Sequence, residues 1–270
     1  MKVEIYQIFY DQSTQASLDP GFIPLDNCYP DESGWFEFLP ILNFLNGNEL
    51  KNDVWYGFLS PKFIDKVGAT SADVNEIILQ NQERANVILL SPEWDQVAYF
   101  KNIFEQGEFC HPGLLQLSQK FIKSAGIDLN LYDQIMDSSN TVFSNYVVAK
   151  KEYWDKWKQI AQKFYEFTSL RKEYSKGLQS RSYNQYPMRA FIQERLASVI
   201  LNQFPFSIIN IDQSEYAPIN TLLFDSDDRS RGLLKKCNEL KSQFRRTRQQ
   251  VYIEEYWKTR NQIPFKNPQL

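Results

Sequence analysis

The most constraining feature of this sequence is a short apolar run, Ala85-Asn-Val-Ile-Leu-Leu90, that stops at the turn signal Ser91-Pro92. A run this short, bounded by a turn, is typical of a strand buried on both faces. A second strand is predicted at Val54-Trp-Tyr-Gly-Phe-Leu59, and Ser71 is predicted to cap a helix over residues 72–81 between the two. The order strand, helix, strand predicts parallel pairing and an α/β fold, in which helices cover the sheet.

The rest of the chain continues this alternation. An alternating segment at residues 3–10 predicts a first strand, and the turn-rich passage after it predicts a long loop with one short helix at residues 35–46. Periodicity predicts further helices and strands along the chain: helices at 114–124, 151–167 and 188–203, strands at 141–148 and 206–211, and a long basic helix at 232–260. We therefore predict one α/β domain over residues 1–217 and a C-terminal helical extension over residues 218–270 that packs on it.

Composition excludes several classes of protein. The 270 residues carry a formal charge of −3, which gives no overall electrostatic reason to bind nucleic acid. The three cysteines are odd in number and widely spaced, as expected in a reducing compartment. No stretch approaches the roughly 20 apolar residues that cross a bilayer, and the N-terminal segment lacks the features of a signal peptide. These features predict a cytoplasmic protein.

Motifs for phosphate and metal binding are weak or missing in the sequence. Neither GxGxxG nor GxxxxGK[ST] occurs, and the single histidine, His111, excludes a zinc site built from several imidazoles. Asp225-Ser-Asp227 matches the DxD pattern, but its place beside the C-terminal helix indicates a surface turn. Glu93-Trp94-Asp95 follows a buried strand and is better placed to contact a diphosphate, a metal ion or a sugar. We predict no metal ligand, and dependence on Mn²⁺ or Mg²⁺ stays open.

Two further polar segments are candidates for a site. Glu108 and His111 lie in a turn before a predicted helix, which is either a structural turn or a loop that contacts substrate hydroxyl groups. Asn145 lies within a predicted buried strand, where an amide needs a partner. Glu194 lies at the margin of an apolar helix face, where it either forms an ion pair with a basic neighbour or acts as a general base.

The segments around Asn145 and Glu194 carry a resemblance. Ser144-Asn145-Tyr-Val-Val-Ala-Lys150 and the aromatic helix after it resemble the N-[FY]-x-[VI]-x-[KR] element of bacterial GT-A-type glycosyltransferases from capsule and O-antigen loci. Phe191-Ile-Gln-Glu194-Arg195-Leu196 is similar to the F-x-x-E-R-L helix of those enzymes. Trp55-Tyr-Gly-Phe-Leu-Ser-Pro-Lys62 resembles their second strand, which a basic residue ends near the donor phosphates. The likeness covers residues 50–210 discontinuously.

The resemblance implies a GT-A-like, Rossmann-like sheet and a hexosyltransferase-like activity on a nucleotide sugar. The acceptor is then a hydroxyl of a lipopolysaccharide O-antigen or capsule glycan, free or lipid-linked. Candidates for the general base are, in order, Glu194, Asp95 and Glu108. The implied donor-binding residues are Asp11, Asp26, Asn27, Lys62, Asn145 and Arg189, and the implied acceptor-binding residues are Trp94 and His111.

Two other functions and one further contact stay open at this point. A non-catalytic glycan-binding protein uses the same aromatic surface, and a sugar-nucleotide hydrolase uses the same donor site. The basic C-terminal helix either touches the anionic inner face of the membrane or packs on the domain with a solvated face.

Overall fold

The computed structural model describes residues 2–28, 34–175 and 186–266 of the chain. These residues form a mixed sheet of six strands in the order β2-β1-β3-β5-β4-β6. The strands are β1 (Lys2–Phe9), β2 (Ile23–Asp26), β3 (Val54–Leu59), β4 (Val87–Leu89), β5 (Val147–Ala149) and β6 (Ile208–Asn210). Strand β5 is antiparallel to both of its neighbours, β3 and β4, while the other pairs are parallel. The Rossmann-like, mostly parallel α/β fold predicted from the sequence is confirmed.

Helices lie on both faces of this sheet. Those of the first half are α1 (Gln12–Ala16), α2 (Phe38–Gly47), α3 (Phe63–Val67), α4 (Ser71–Asn81), α5 (Trp94–Tyr99), α6 (Ile103–Cys110) and α7 (Leu114–Ser124). Those of the second half are α8 (Lys151–Ser169), α9 (Lys172–Ser175), α10 (Met188–Gln193), α11 (Leu196–Gln203), α12 (Asp228–Thr247) and α13 (Gln250–Arg260). Two apolar clusters, one on each face, join the helices to the strands.

Helix α8 shows how the sequence builds this packing. Tyr153, Trp154 and Trp157 fall on one face of the helix and are fully buried against the sheet. The indole Nε1 of Trp154 also donates to the carbonyl oxygen of Tyr56 in β3, at 3.1 Å. The large aromatic rings therefore supply apolar contact area, and the indole N–H retains a partner inside the core.

Four predicted elements differ in detail. Strand β5 begins only at Val147, because Ser144 and Asn145 have left-handed backbone conformations (φ 60° and 55°) that a strand does not accommodate. The helix predicted at 188–203 is divided into α10 and α11. The side chain that caps α4 is that of Thr70, which forms a capping box with Asp73. Strands β3 and β4 run in the same direction, but β5 lies between them, so they do not pair.

The C-terminal residues pack on the domain through α5. Helices α12 and α13 contribute Leu234, Cys237 and Tyr256 to a third apolar cluster that includes Tyr99 and Phe100. The predicted single basic helix is interrupted at Arg248, whose backbone is left-handed (φ 60°). The division of the chain at residue 217 stays a prediction.

The basic residues of the C-terminal extension make internal contacts. Lys241 is fully buried, while Lys235, Lys236 and Arg245 form ion pairs with Glu215, Glu255 and Asp137. None of the helices in the described ranges is both long and apolar enough to span a bilayer. Contact of this extension with a membrane stays a prediction.

Candidate active site

One edge of the sheet collects most of the polar residues that the sequence singled out. The parallel strands β1, β2, β3, β4 and β6 all end at this edge, and the antiparallel strand β5 begins there. Ligands of open α/β sheets bind outside the carboxyl ends of the parallel strands. Left-handed backbone at Glu93, Ser144 and Asn145 is concentrated at the same edge. Such conformations cost about 1–3 kcal/mol each and cluster at functional sites.

Glu194 lies near this edge, at the junction of α10 and α11 and within reach of the charges of Glu37 and Lys66. Its side chain is exposed to solvent, yet the surrounding protein removes enough water from the carboxyl group to raise its pKa. The Glu194 carboxyl group is thus partly surrounded by protein and still reaches solvent, and these surroundings are called the Glu194 recess. The charge of Glu37 raises the pKa further, while those of Arg195 and Lys66 lower it. Within the described ranges Glu194 forms no ion pair.

Lys66 supplies positive charge to this recess. It lies on α3, which follows β3, and its Nζ donates to the hydroxyl of Ser144 at 3.0 Å and lies 5.8 Å from the centre of the Tyr146 ring. Its charge acts on both Glu93 and Glu194 and lowers the pKa of each carboxyl group. The exposed ammonium group therefore lies where it can offset negative charge on a ligand.

Glu93 lies at the same edge, directly after β4. Desolvation first, and then the charge of Asp95, raise the pKa of its carboxyl group. A chain of hydrogen bonds joins it to α10 and α11: Gln96 donates to Glu93, Gln106 donates to Gln96 at 2.8 Å, and Arg195 donates to Gln106 at 2.7 Å. These buried bonds fix the loop after β4 relative to the Glu194 junction.

Two tyrosines lie on the side of Glu194 that faces β1 and β3; Tyr10 is half-buried and Tyr146 is fully buried. Burial first, and then the charge of Glu37, raise the pKa of Tyr10, and Glu194 adds to the effect. Burial likewise raises the pKa of Tyr146, whose hydroxyl forms a hydrogen bond with Ser60. Both phenols are therefore neutral hydrogen-bonding groups at physiological pH.

Asn145 contributes an unsatisfied acceptor to this edge. Its side chain is only 7% exposed, and its Oδ1 has no hydrogen-bond partner among the described residues. Leaving a buried amide oxygen unpaired costs about 1–3 kcal/mol. The unpaired oxygen and the left-handed backbone make Asn145 a strained polar position at this edge, and its role in donor binding stays a prediction.

The residues predicted to bind the donor are distributed around this edge. Asp11 follows β1 and caps α1 by accepting from Thr14 N–H at 2.7 Å, while Asp26 ends β2 and accepts from Cys28 N–H at 2.8 Å. Hydrogen bonds from these N–H groups lower the pKa of both carboxyl groups, which therefore stay charged. Asn27 donates to the carbonyl oxygen of Phe36 at 3.3 Å.

Lys62 follows β3 at the same edge, and Arg189 lies on α10. Lys62 is exposed at the start of α3, one turn before Lys66. Arg189 lies 4.5 Å from the Trp35 ring and donates to Ser175 at 3.1 Å. Participation of these two residues in donor binding stays a prediction.

The structure gives Glu108 and Asp95 local structural contacts. The two carboxylate oxygens of Glu108 accept from the N–H groups of Gly113 and Leu115, at 2.8 and 2.9 Å, at the start of α7. Asp95 is buried and accepts from the N–H groups of Gln96 and Asn220, at 2.8 and 2.6 Å. Both carboxylates are occupied by backbone donors, which makes Glu194 the better candidate for the base.

The two residues predicted to bind the acceptor lie at different places. His111 ends α6 and stacks on Phe191, with ring centres 3.6 Å apart. Burial, and then the charge of Arg195, lower the pKa of His111 to about 3, so its ring is neutral at physiological pH. Trp94 is half-buried at the start of α5 and donates to the carbonyl oxygen of Pro218 at 3.1 Å.

The carboxylates predicted as metal-binding candidates do not form a set of free ligands. Asp227 caps α12, and Asp225 pairs with Lys266 at 2.9 Å, so the DxD segment holds the C-terminal extension together. Asp95 accepts from backbone donors, and Glu93 accepts from Gln96. Across residues 2–28, 34–175 and 186–266 there is no group of three or more His, Cys, Asp or Glu side chains that could hold a metal ion.

Sequence reasoning did not identify Lys66, Tyr10 and Tyr146 as site residues. A signal for Lys66 was available, because residues four apart share one face of a helix and Lys66 is four residues after Lys62. Tyr146 lies within the segment quoted for its resemblance. In an extended strand the side chains of Asn145 and Tyr146 would point to opposite faces of the sheet. The left-handed backbone at Ser144 and Asn145 changes this, so that both residues lie at the same edge.

Fold and site together define an α/β protein with an acidic recess at the carboxyl edge of its sheet. Among solved structures, the apo structure of the bifunctional glycosyltransferase WbbM is similar to this chain, with 15% sequence identity and a TM-score of 0.45. The similarity covers 84% of this chain and 48% of the WbbM chain, so this chain spans about half the length of that protein. No protein-family model and no curated protein matches the sequence.

Proposed function

We propose that this chain is a glycosyltransferase that moves a sugar from a nucleotide-sugar donor to a hydroxyl group of a glycan. The observation that carries the proposal is the Glu194 recess, in which a carboxyl group of raised pKa stays open to solvent beside the exposed ammonium group of Lys66. The resemblance of the Asn145 and Glu194 segments to enzymes of capsule and O-antigen loci supports a bacterial surface glycan as the acceptor.

In the proposed reaction Glu194 is the general base. Its carboxylate accepts the proton of an acceptor hydroxyl group as that oxygen bonds to the anomeric carbon of the donor sugar. The bond between the anomeric carbon and the diphosphate breaks, and the nucleoside diphosphate leaves with the electron pair. A raised pKa suits this role, because a base is most effective when its pKa lies near the working pH.

Lys66 has the second role, because negative charge develops on the departing diphosphate. An ammonium group already held at the site stabilises this charge without reorganisation. The unpaired Oδ1 of Asn145 accepts a hydrogen bond from a donor hydroxyl group, and the neutral phenol of half-buried Tyr10 offers a further hydrogen bond. No step in this scheme requires a metal ion.

The first experiment tests binding of the donor. Thermal shift is measured with UDP-, GDP-, CMP- and dTDP-sugars, each with and without Mn²⁺, and we expect stabilisation by at least one of them. If none of these nucleotide sugars stabilises the protein, the transferase proposal is wrong. Product analysis with and without a glycan acceptor then separates a transferase from a sugar-nucleotide hydrolase.

The second experiment tests the base. Glu194→Gln keeps the size and hydrogen-bonding capacity of the side chain but removes its basicity, so we expect donor binding to persist while turnover falls about 100-fold or more. Glu76→Gln, on the exposed face of α4, is the matched control and retains turnover. Retained turnover in Glu194→Gln would remove this residue as the base.

A further inference from the structure

A cavity of about 370 Å³ lies at the far end of the same sheet edge. It is bounded by residues that follow β4 and β6, by the segment before β5, and by one face of α12. Its volume falls at the lower end of the range of about 300–1,000 Å³ that is typical of small-molecule sites. Ser91 lines the cavity, two residues before Glu93 of the recess. The loop after β4 therefore contributes to both concave surfaces.

The lining indicates the chemistry of the ligand. All of the lining residues except Trp94 and Val97 carry polar side chains, and most of these are hydroxyl or carboxamide groups. Three acidic and two basic residues line the cavity, and Lys235 and Glu215 neutralise each other in an ion pair of 2.6 Å. This balance favours neither an anion nor a cation, and the polar wall does not suit an apolar ligand.

Two polar groups in the wall are unsatisfied. Thr141 is 2% exposed and Gln213 is 4% exposed, and within the described part of the chain neither Thr141 Oγ1 nor Gln213 Nε2 has a hydrogen-bond partner. Buried polar atoms without a partner are rare because each costs about 1–3 kcal/mol. A ligand that carries hydroxyl groups offers a hydrogen-bond partner to each of these two groups.

Trp94 adds an aromatic surface at the rim. Its indole is half-buried, its Nε1 donates to the carbonyl oxygen of Pro218, and the Arg231 guanidinium lies 5.0 Å from the ring centre. These contacts hold the ring in one orientation. An aromatic ring of fixed orientation beside hydroxyl and amide groups matches a sugar ring, which has apolar C–H faces and a polar edge.

We infer that this cavity is a binding site for an uncharged saccharide, separate from the Glu194 recess. The claim that a saccharide binds in this cavity stands on its own. The further claim that this saccharide is the acceptor rests on the proposed function. The cavity is adjacent to the loop that carries Glu93.

The test uses ligand-observed NMR with glucose, galactose, mannose, rhamnose, N-acetylglucosamine and their methyl glycosides as probes. Thr141→Val replaces the unpaired hydroxyl group with a methyl group of similar size. Thr259→Val is the matched control, because Thr259 is also buried with an Oγ1 that is unpaired among described residues, and it does not line the cavity. Both variants remove an unsatisfied group, so both should melt at or above the wild-type temperature.

We expect at least one neutral saccharide to bind the wild type and the Thr259→Val variant equally, and Thr141→Val to weaken that binding about tenfold. Thr141→Val should leave the thermal shift by nucleotide sugars unchanged. Failure of every neutral saccharide to bind, or equal binding by Thr141→Val, would overturn the inference. Saccharide binding lost in Thr141→Val, without any response to nucleotide sugars, would sustain this site and contradict the transferase proposal instead.

Discussion

Protonation of His111 should destabilise the fold, and the effect can be isolated because the chain has one histidine. The ring stacks on Phe191 of α10, three residues before Glu194, and is 7% exposed. Burial and the charge of Arg195 disfavour a second positive charge there and lower the pKa of His111 from 6.5 to about 3. In the unfolded chain the same imidazole keeps its ordinary pKa.

The sign and size of the effect follow from proton linkage. Below pH 6.5 the unfolded state binds a proton that the folded state does not accept until the pH approaches 3, so stability is lost as the pH falls through this window. Each pH unit contributes about 1.4 kcal/mol, so the fall from pH 6.5 to pH 5 costs about 2 kcal/mol. Above pH 6.5 this contribution is constant.

The assay compares the free energy of urea unfolding at pH 8 and pH 5 for the wild type and for His111→Phe. Phenylalanine keeps an aromatic ring against Phe191 but cannot be protonated. All other titrating groups, including Glu93 and Glu194, are shared by the two proteins, so the difference in pH dependence reports His111 alone. We expect the wild type to lose about 2 kcal/mol more than the variant. Equal losses, or an NMR-detected pKa of 6 or above for the His111 ring, would refute this reasoning.

Three further predictions concern the packing of the helices. Gly107→Ala places a Cβ 2.7 Å from Arg195 Nε and should lower the free energy of urea unfolding by about 1–3 kcal/mol, whereas Gly47→Ala, which meets nothing within 4 Å, should lower it not at all. Glu108→Ala removes the acceptor for two N–H groups at the start of α7 and should lower the midpoint of thermal unfolding, with a cost of about 1 kcal/mol; an unchanged midpoint would show that the cap contributes nothing. Burial lowers the pKa of Lys241 to about 7, so between pH 7 and pH 10 the stability of the wild type should rise relative to that of Lys241→Met, as followed by urea unfolding; parallel pH profiles would contradict the shift.

Local sequence patterns predicted helices and strands well where apolar or aromatic residues dominate a segment or one of its faces. The apolar run at 85–90 and the aromatic face of α8 each have a single way to be buried, so β4 and α8 lie where periodicity places them. The paired strands differ from expectation because pairing is non-local. Strand β5 lies between β3 and β4 although it follows both in the chain, and no local pattern encodes that insertion.

The site shows a similar division. Glu194 could be selected from the sequence because it lies at the margin of an apolar helix face, in a segment that resembles a helix of bacterial glycosyltransferases. Glu108 had an equally suggestive setting, but its carboxylate accepts from the N–H groups that begin the next helix. Backbone N–H groups reach the carboxylate of Glu108 because the turn between α6 and α7 brings them there. The sequence does not show this difference between Glu108 and Glu194.

By itself the sequence determined the α/β class, the order of most strands and helices, and the candidate status of Asn145 and Glu194. These follow from the period of apolar residues and from residue types that are costly to bury. Only the tertiary structure decided that Lys66, Glu93 and Glu194 lie close enough to interact. Lys66 on α3 and Glu194 at the α10–α11 junction are more than 100 residues apart in the chain. The pKa values of Glu93 and Glu194 depend on the burial and the charges around them. These neighbours come together only once the strands have paired.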